Sequence, residues 1–184
     1  MRLFLALELP EEVRRTLGEL VARLSERRGW RWADPAGLHL TLRFLGEVSE
    51  EGDRRARPLW RRCASAGAPL SLRTAGLGLF PGRRRPRVLW TGVEEAPPGG
   101  RLAALSAALE AAAREAGFPG EDRPFRPHLT LARARGDGPP EPPGEDEAGV
   151  EASFEVRELS LVRSHLRPGR ALHETLERFP LGGP

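Results

Sequence analysis

Two periodicities alternate along the chain. Residues 2–9 are almost all aliphatic, with Phe4, and end at Pro10, which predicts a strand. Pro10, Glu11 and Glu12 then open a helix, since proline suits a first turn and acids face its positive end. Val13, Leu17, Leu20, Val21 and Leu24 keep one helical face, and Gly29 stops it. A short strand is expected at 30–33 and a longer one at 38–45, closed by Gly46. A second helix starts near Ser49 and carries Ala56, Leu59, Trp60 and Cys63 at helical spacing. Residues 70–80 alternate and contain glycines, predicting a strand with a bulge at Gly76 or Gly78.

The second half repeats the theme. A strand over 87–93 leads to an alanine-rich helix over 101–116, stopped by Gly117. Pro127 introduces a strand over 128–134. Residues 136–149 are acidic and proline-rich and read as a surface loop, disordered or mobile, on which no regular structure should be forced. Two closing strands, 152–162 and 171–181, are joined through Pro168-Gly169. Frequent apolar/polar alternation favours antiparallel sheets with one wet face. The expected fold is α+β, a single domain over residues 1–184 made of two similar lobes of antiparallel sheet backed by helices, with a central cleft between them.

Composition narrows the chemistry. The 184 residues suffice for a real core, and a single cysteine, Cys63, excludes an internal disulfide and any cysteine-based zinc cluster. No stretch has the length of a membrane span and none resembles an export signal, so a soluble, cytoplasmic, monomeric protein is expected. All 29 basic residues are arginines. Without lysine, nucleotidyl transfer through a lysine, a P-loop lysine and Schiff-base chemistry are excluded. Asn, Gln, Ile and Tyr are also missing, which fits a hot habitat, a G/C-rich coding bias, or both. Net charge is only +3, yet arginines clump at 54–62 and again at 83–87; a solvated face and an anion-attracting one are equally compatible with that.

The candidate chemistry sits in a repeated tetrapeptide, His39-Leu40-Thr41-Leu42 and His128-Leu129-Thr130-Leu131, which uses two of only four histidines. On a strand alternate residues face alike, so His39 and Thr41 share one face while Leu38, Leu40, Leu42 and Phe44 point into a core. His128 and Thr130 repeat this, with Leu129 and Leu131 inward. Opposed across a cleft, two imidazoles can take a proton from an attacking oxygen and return one to a leaving oxygen, and the hydroxyls can hold non-bridging phosphate oxygens. Strict alternation puts Arg43 on the His39 face as a candidate phosphate ligand. It puts Arg133 on the leucine face, so Arg133 reaches the cleft only if the strand ends or bulges. No carboxylate or third histidine stands at metal-ligand spacing, so neither metal nor cofactor is expected. His165 and His173 read as bystanders, and Phe80 and Trp90 as either base-stacking or core residues.

These motifs, with Arg2-Leu3-Phe4, the Phe44-Leu45-Gly46 that follows the first, Gly78-Leu79-Phe80-Pro81, Arg87-Val88-Leu89-Trp90 and Arg126-Pro127 before the second, resemble the 2H phosphoesterase superfamily. Within it the chain is most similar to the LigT-like branch of RNA 2′,3′-cyclic phosphodiesterases, also called 2′-5′ RNA ligases. The resemblance implies metal-independent hydrolysis of an RNA 2′,3′-cyclic phosphate to a 2′-phosphomonoester. It implies His39 as proton donor to the leaving 3′ oxygen, His128 as acceptor from water, Thr41 and Thr130 as phosphate holders, and Arg133 as their helper. One departure stands out: where the family often has a tyrosine after the Pro-Gly turn, this chain has His173. The competing readings are a 2′-5′ RNA ligase acting on RNA ends such as tRNA halves, and a non-catalytic RNA-binding module built on the arginine clusters.

Overall fold

The computed structural model describes residues 1–136, 138–144, 147–167 and 170–182. In chain order the elements are β1 (Arg2–Glu8), α1 (Glu11–Leu24), β2 (Trp30–Trp32), a 3-10 turn (Pro35–Gly37), β3 (His39–Glu47), α2 (Glu50–Ala66), β4 (Leu70–Phe80), β5 (Val88–Glu95), α3 (Arg101–Glu115), β6 (His128–Ala134), β7 (Ser153–Val156), β8 (Glu158–Arg167) and β9 (Arg170–Pro180). Two antiparallel sheets result, one ordered β3-β1-β8-β9 and the other β2-β6-β5-β4-β7. This is the α+β arrangement the periodicities predict. Each motif strand lies in a different sheet.

Local chemistry explains most boundaries. Ser49 caps α2 by accepting from the Gly52 amide, as the serine before an acidic first turn suggests. The bulge in β4 falls at Gly76, whose φ of +60° suits glycine best. Gly78 serves another purpose: a Cβ there would lie 2.0 Å from the Trp90 ring, so only a bare backbone lets that indole lie across it.

One expectation fails. Residues 152–162 are not a single strand but β7 in the five-stranded sheet and β8 in the four-stranded one, with the break at Arg157. The cause is a slip in apolar phase. Phe154 and Val156 are buried at even positions, whereas Leu159 and Leu161 are buried at odd ones. A strand that keeps one buried face cannot absorb that slip, so the chain changes sheets. The Pro168-Gly169 turn lies outside the described residues. The acidic segment has no regular structure where it is described, but it is tethered: the Glu141 amide donates to the Arg28 carbonyl, Trp30 Nε1 donates to the Glu141 carbonyl, and Glu147 pairs with Arg27.

A continuous apolar core joins both sheets and all three helices. Helices α2 and α3 pack on each other and against β9 and β3 respectively. β1 is buried on both faces: Leu3, Leu5 and Leu7 enter this core, while Phe4 and Ala6 join Val162 in a small second cluster on the opposite face. His39 and His173 pack against Phe4 on that second face.

Candidate active site

The motif strands β3 and β6 approach side by side, each the member of its own sheet nearest the other. In both, the leucines of the tetrapeptide are buried and the histidine and threonine are partly open, as alternation requires. Different lead-ins deliver the two imidazoles to the same pose. The 3-10 turn, capped by the Asp34 carboxylate on the Ala36 amide, presents the Gly37 carbonyl to His39 Nδ1 at 2.8 Å. Ahead of β6 the Arg126-Pro127 lead-in presents the Arg126 carbonyl to His128 Nδ1 at 2.6 Å. A carbonyl only accepts, so each Nδ1 carries the hydrogen and each neutral ring has its lone pair on Nε2. Both histidines are thereby set as acceptors at Nε2, with the second nitrogen fixed.

Beyond the threonine, both strands depart from alternation at the same place. In β3, Thr41 pairs with Ala6 and Arg43 with Leu5, leaving Leu42 as an extra residue. In β6, Thr130 pairs with Trp90 and Ala132 with Leu89, leaving Leu131 extra. A bulge moves every later side chain to the other face. Arg133 therefore emerges exposed on the face of His128 and Thr130. Arg43 goes the other way and is no cleft residue: only 7% exposed, it pairs with Glu110 on α3 and donates to the carbonyls of Phe44 and Pro119. Phe44, expected in the core, is instead 50% exposed next to Phe4. Phe44 and Arg133 thus occupy equivalent positions in the two strands.

The surroundings of the two histidines differ. His39 stacks on Phe4, ring centroids 4.7 Å apart, and meets His173 edge-on at 4.8 Å. Burial drives its pKa down to about 4; the Gly37 carbonyl and the Glu8 charge oppose this, while His173 and Arg133 reinforce it. The guanidinium on β6 thus acts across the β3–β6 contact on the imidazole of β3. Glu8, the cross-strand partner of His39, accepts from Ser160, Thr175 and Arg178. Burial raises its pKa, but those hydrogen bonds outweigh it and hold the carboxylate below the usual range. His128 is flanked by Phe80, edge-on at 5.1 Å, with Trp90 at 6.1 Å; Phe80 and Trp90 stack on each other at 4.9 Å. His165 pairs with Glu174 and makes no ring contact with His39 or His128. His173, read as a bystander, is not one by position. Its signal in the sequence was the histidine standing where a tyrosine is usual. Among the described residues no group of three or more His, Cys, Asp or Glu side chains is arranged to hold a metal ion. No helix among them is long and apolar enough to cross a membrane.

Paired His-x-Thr strands on a two-sheet α+β frame are the mark of a class, the two-histidine phosphoesterases. The sequence model of the family described as LigT like Phosphoesterase matches residues 7–90 and 93–173, and the chain belongs to that family. Over its full length it is 42% identical to an RNA 2′,3′-cyclic phosphodiesterase of Thermus thermophilus, spanning 91% of that protein. Its fold matches the crystal structure of the Thermus thermophilus protein TT0787 with a TM-score of 0.86 at 39% identity, covering 100% of this chain and 99% of that one. It matches the Escherichia coli LigT complex with 3′-AMP with a TM-score of 0.79 at 32% identity, covering 98% and 97%.

Proposed function

We propose that this chain is a hydrolase that opens an RNA 2′,3′-cyclic phosphate to a 2′-phosphomonoester, with no metal or cofactor. The observation that carries the reading is the pair of Nδ1-anchored imidazoles, each followed two residues on by a hydroxyl, on adjacent strands. The 42% identical relative bears the name of that activity, and LigT is known bound to a nucleotide, 3′-AMP. His128 Nε2 removes a proton from water as its oxygen bonds to phosphorus. The bond from phosphorus to the 3′ oxygen breaks, His39 delivers a proton to that oxygen, and the phosphate stays on the 2′ oxygen. Thr41 and Thr130 donate to the non-bridging oxygens, and Arg133 meets the charge gathering there. A monomer in the cytoplasm, in one 1–184 domain, completes the proposal.

Incubation with a nucleoside 2′,3′-cyclic phosphate in EDTA tests it. Release of the 2′-phosphate is expected, with losses of at least about 100-fold in His39→Ala and in His128→Ala. Activity surviving either substitution removes the acid–base pair, and activity abolished by EDTA removes the metal-free scheme. A 5′-hydroxyl of a second RNA in place of water would give 2′-5′ joining by the same displacement.

A further inference from the structure

The two arginine clusters of the sequence turn out to be unlike. On α2, Arg57 pairs with Asp53 and Glu177, Arg61 with Glu177 and Arg62 with Glu115, while Arg55 donates to the Ala116 carbonyl. Those guanidiniums bind the helix to its neighbours. The cluster in the β4–β5 connection is different. Arg83 is anchored on the Pro143 carbonyl, but Arg84, Arg85 and Arg87 are exposed and make no ion pair or side-chain hydrogen bond among the described residues. Three free cations in succession repel one another, and an anion from outside offsets that.

Their position gives the anion an identity. The same hairpin carries Phe80, which touches His128, and its Val88 pairs with Arg133. On the other side of β6, Arg133 pairs with Arg31 of β2, and both are exposed. Directly opposed residues of an antiparallel pair point to one face, and like charges there are unfavourable unless an anion lies between them. A strip of cations thus crosses the sheet, from Arg31 on β2 through Arg133 on β6 to the hairpin tip beyond β5. Resting on the hydrolase reading above, we propose that this strip holds the RNA strand upstream of the cyclic phosphate, with Arg84, Arg85 and Arg87 gripping successive backbone phosphates. The enzyme then prefers a single-stranded oligonucleotide end to a mononucleotide. It does so by charge, without reading sequence.

Salt dependence reads this directly. One phosphate held by each of three arginines adds about two to the slope of log affinity against log salt, since each contributes about 0.7 on a single strand. Between 50 and 200 mM salt, kcat/KM for an octanucleotide ending in a 2′,3′-cyclic phosphate is expected to fall about 20-fold more than for the mononucleotide. The triple variant Arg84→Gln, Arg85→Gln, Arg87→Gln is expected to erase that difference and leave the mononucleotide rate unchanged, which also reports intact folding. Equal salt slopes for the two substrates in the unaltered protein overturn the proposal, as does a variant that slows both substrates alike. Fluorescence anisotropy with a labelled octanucleotide 3′-phosphate separates the two readings. Arginine-dependent binding without hydrolysis would retain the RNA track and refute the hydrolase. Hydrolysis with binding indifferent to the three arginines would do the reverse.

Discussion

His39 is asked to donate a proton, yet burial, reinforced by His173 and Arg133, brings its pKa down to about 4. At pH 7 only roughly one ring in a thousand is then charged. The drop from 6.5 to about 4 amounts to about 3 kcal/mol against the imidazolium, an upper bound because the ring keeps an edge open to solvent. A phosphate anion about 4 Å from Nε2 returns about 4 kcal/mol at an effective dielectric of about 20. The substrate itself is therefore expected to charge the acid. The assay is a pH titration of the imidazole Cε1–H signals by NMR, tractable because the chain has four histidines, assigned by single His→Gln variants. Without ligand the His39 signal is expected to titrate near 4, and with saturating inorganic phosphate about two to three pH units higher, as that Coulomb gain implies. A free His39 that titrates near 6.5, or one that phosphate does not move, refutes the reasoning. The same drop acts on folding. Between about 6.5 and 4 the unfolded chain binds a proton that the folded one refuses, so stability is held above 6.5 and falls as pH descends to 4.

Three further outcomes follow from the bulges and the ring contacts, and a fourth from the histidine pair. Arg43→Ala is expected to cost about 2–4 kcal/mol in urea unfolding, because it strips two carbonyls and one of the partners of Glu110, which keeps Arg114 and the Glu121 amide. Arg133→Ala is expected to show the opposite profile, stability within about 0.5 kcal/mol and kcat/KM down about 100-fold; swapped profiles would contradict the assignment of faces. Gly78→Ala, with its Cβ 2.0 Å from the Trp90 ring, is expected to cost about 1–3 kcal/mol and to shift tryptophan emission as the ring is expelled from beside His128. His173→Phe keeps a ring against His39 but removes a titratable group that lowers the His39 pKa, and the same NMR titration is expected to show a modest rise in that pKa.

Much of the fold was legible because hydrophobic phase carries it. Every helix, and most strands, follow the apolar spacing read along the chain, and the cap at Ser49 sits where its chemistry places it. What the spacing hid were single-residue slips. The break at Arg157 was present in the pattern, since Phe154/Val156 and Leu159/Leu161 differ in parity, and a reading that required constant parity within a strand would have found it. The slips after Thr41 and Thr130 have no such marker: Leu42-Arg43 and Leu131-Ala132 look like ordinary alternation continued. His173 left a signal, a histidine where a tyrosine is usual, but its contact with His39 was hidden for another reason. It reaches His39 only through β8, which pairs with both β1 and β9, a tertiary relation far from both residues in sequence.

Those hidden slips put one motif, written twice, into two unequal settings. Both strands offer imidazole, hydroxyl and then, past the bulge, a third side chain on the same face. In β6 that third residue is Arg133, and in β3 it is Phe44. Had alternation continued, the faces would hold Arg43 and Ala132 instead, and a cation would stand beside His39, which the proposed mechanism asks to become charged. The bulge removes Arg43 to the helix side, where Glu110 neutralises it, and leaves an aromatic surface near His39. The guanidinium left on the cleft face, Arg133, stands on the His128 strand, and its charge still reaches His39, where it adds to the effect of burial. The His39 side has two further rings, Phe4 and His173, packed against the imidazole. The proposed division into donor and acceptor needs two unlike settings. The residue five positions beyond each histidine, Phe44 in one strand and Arg133 in the other, is where those settings diverge.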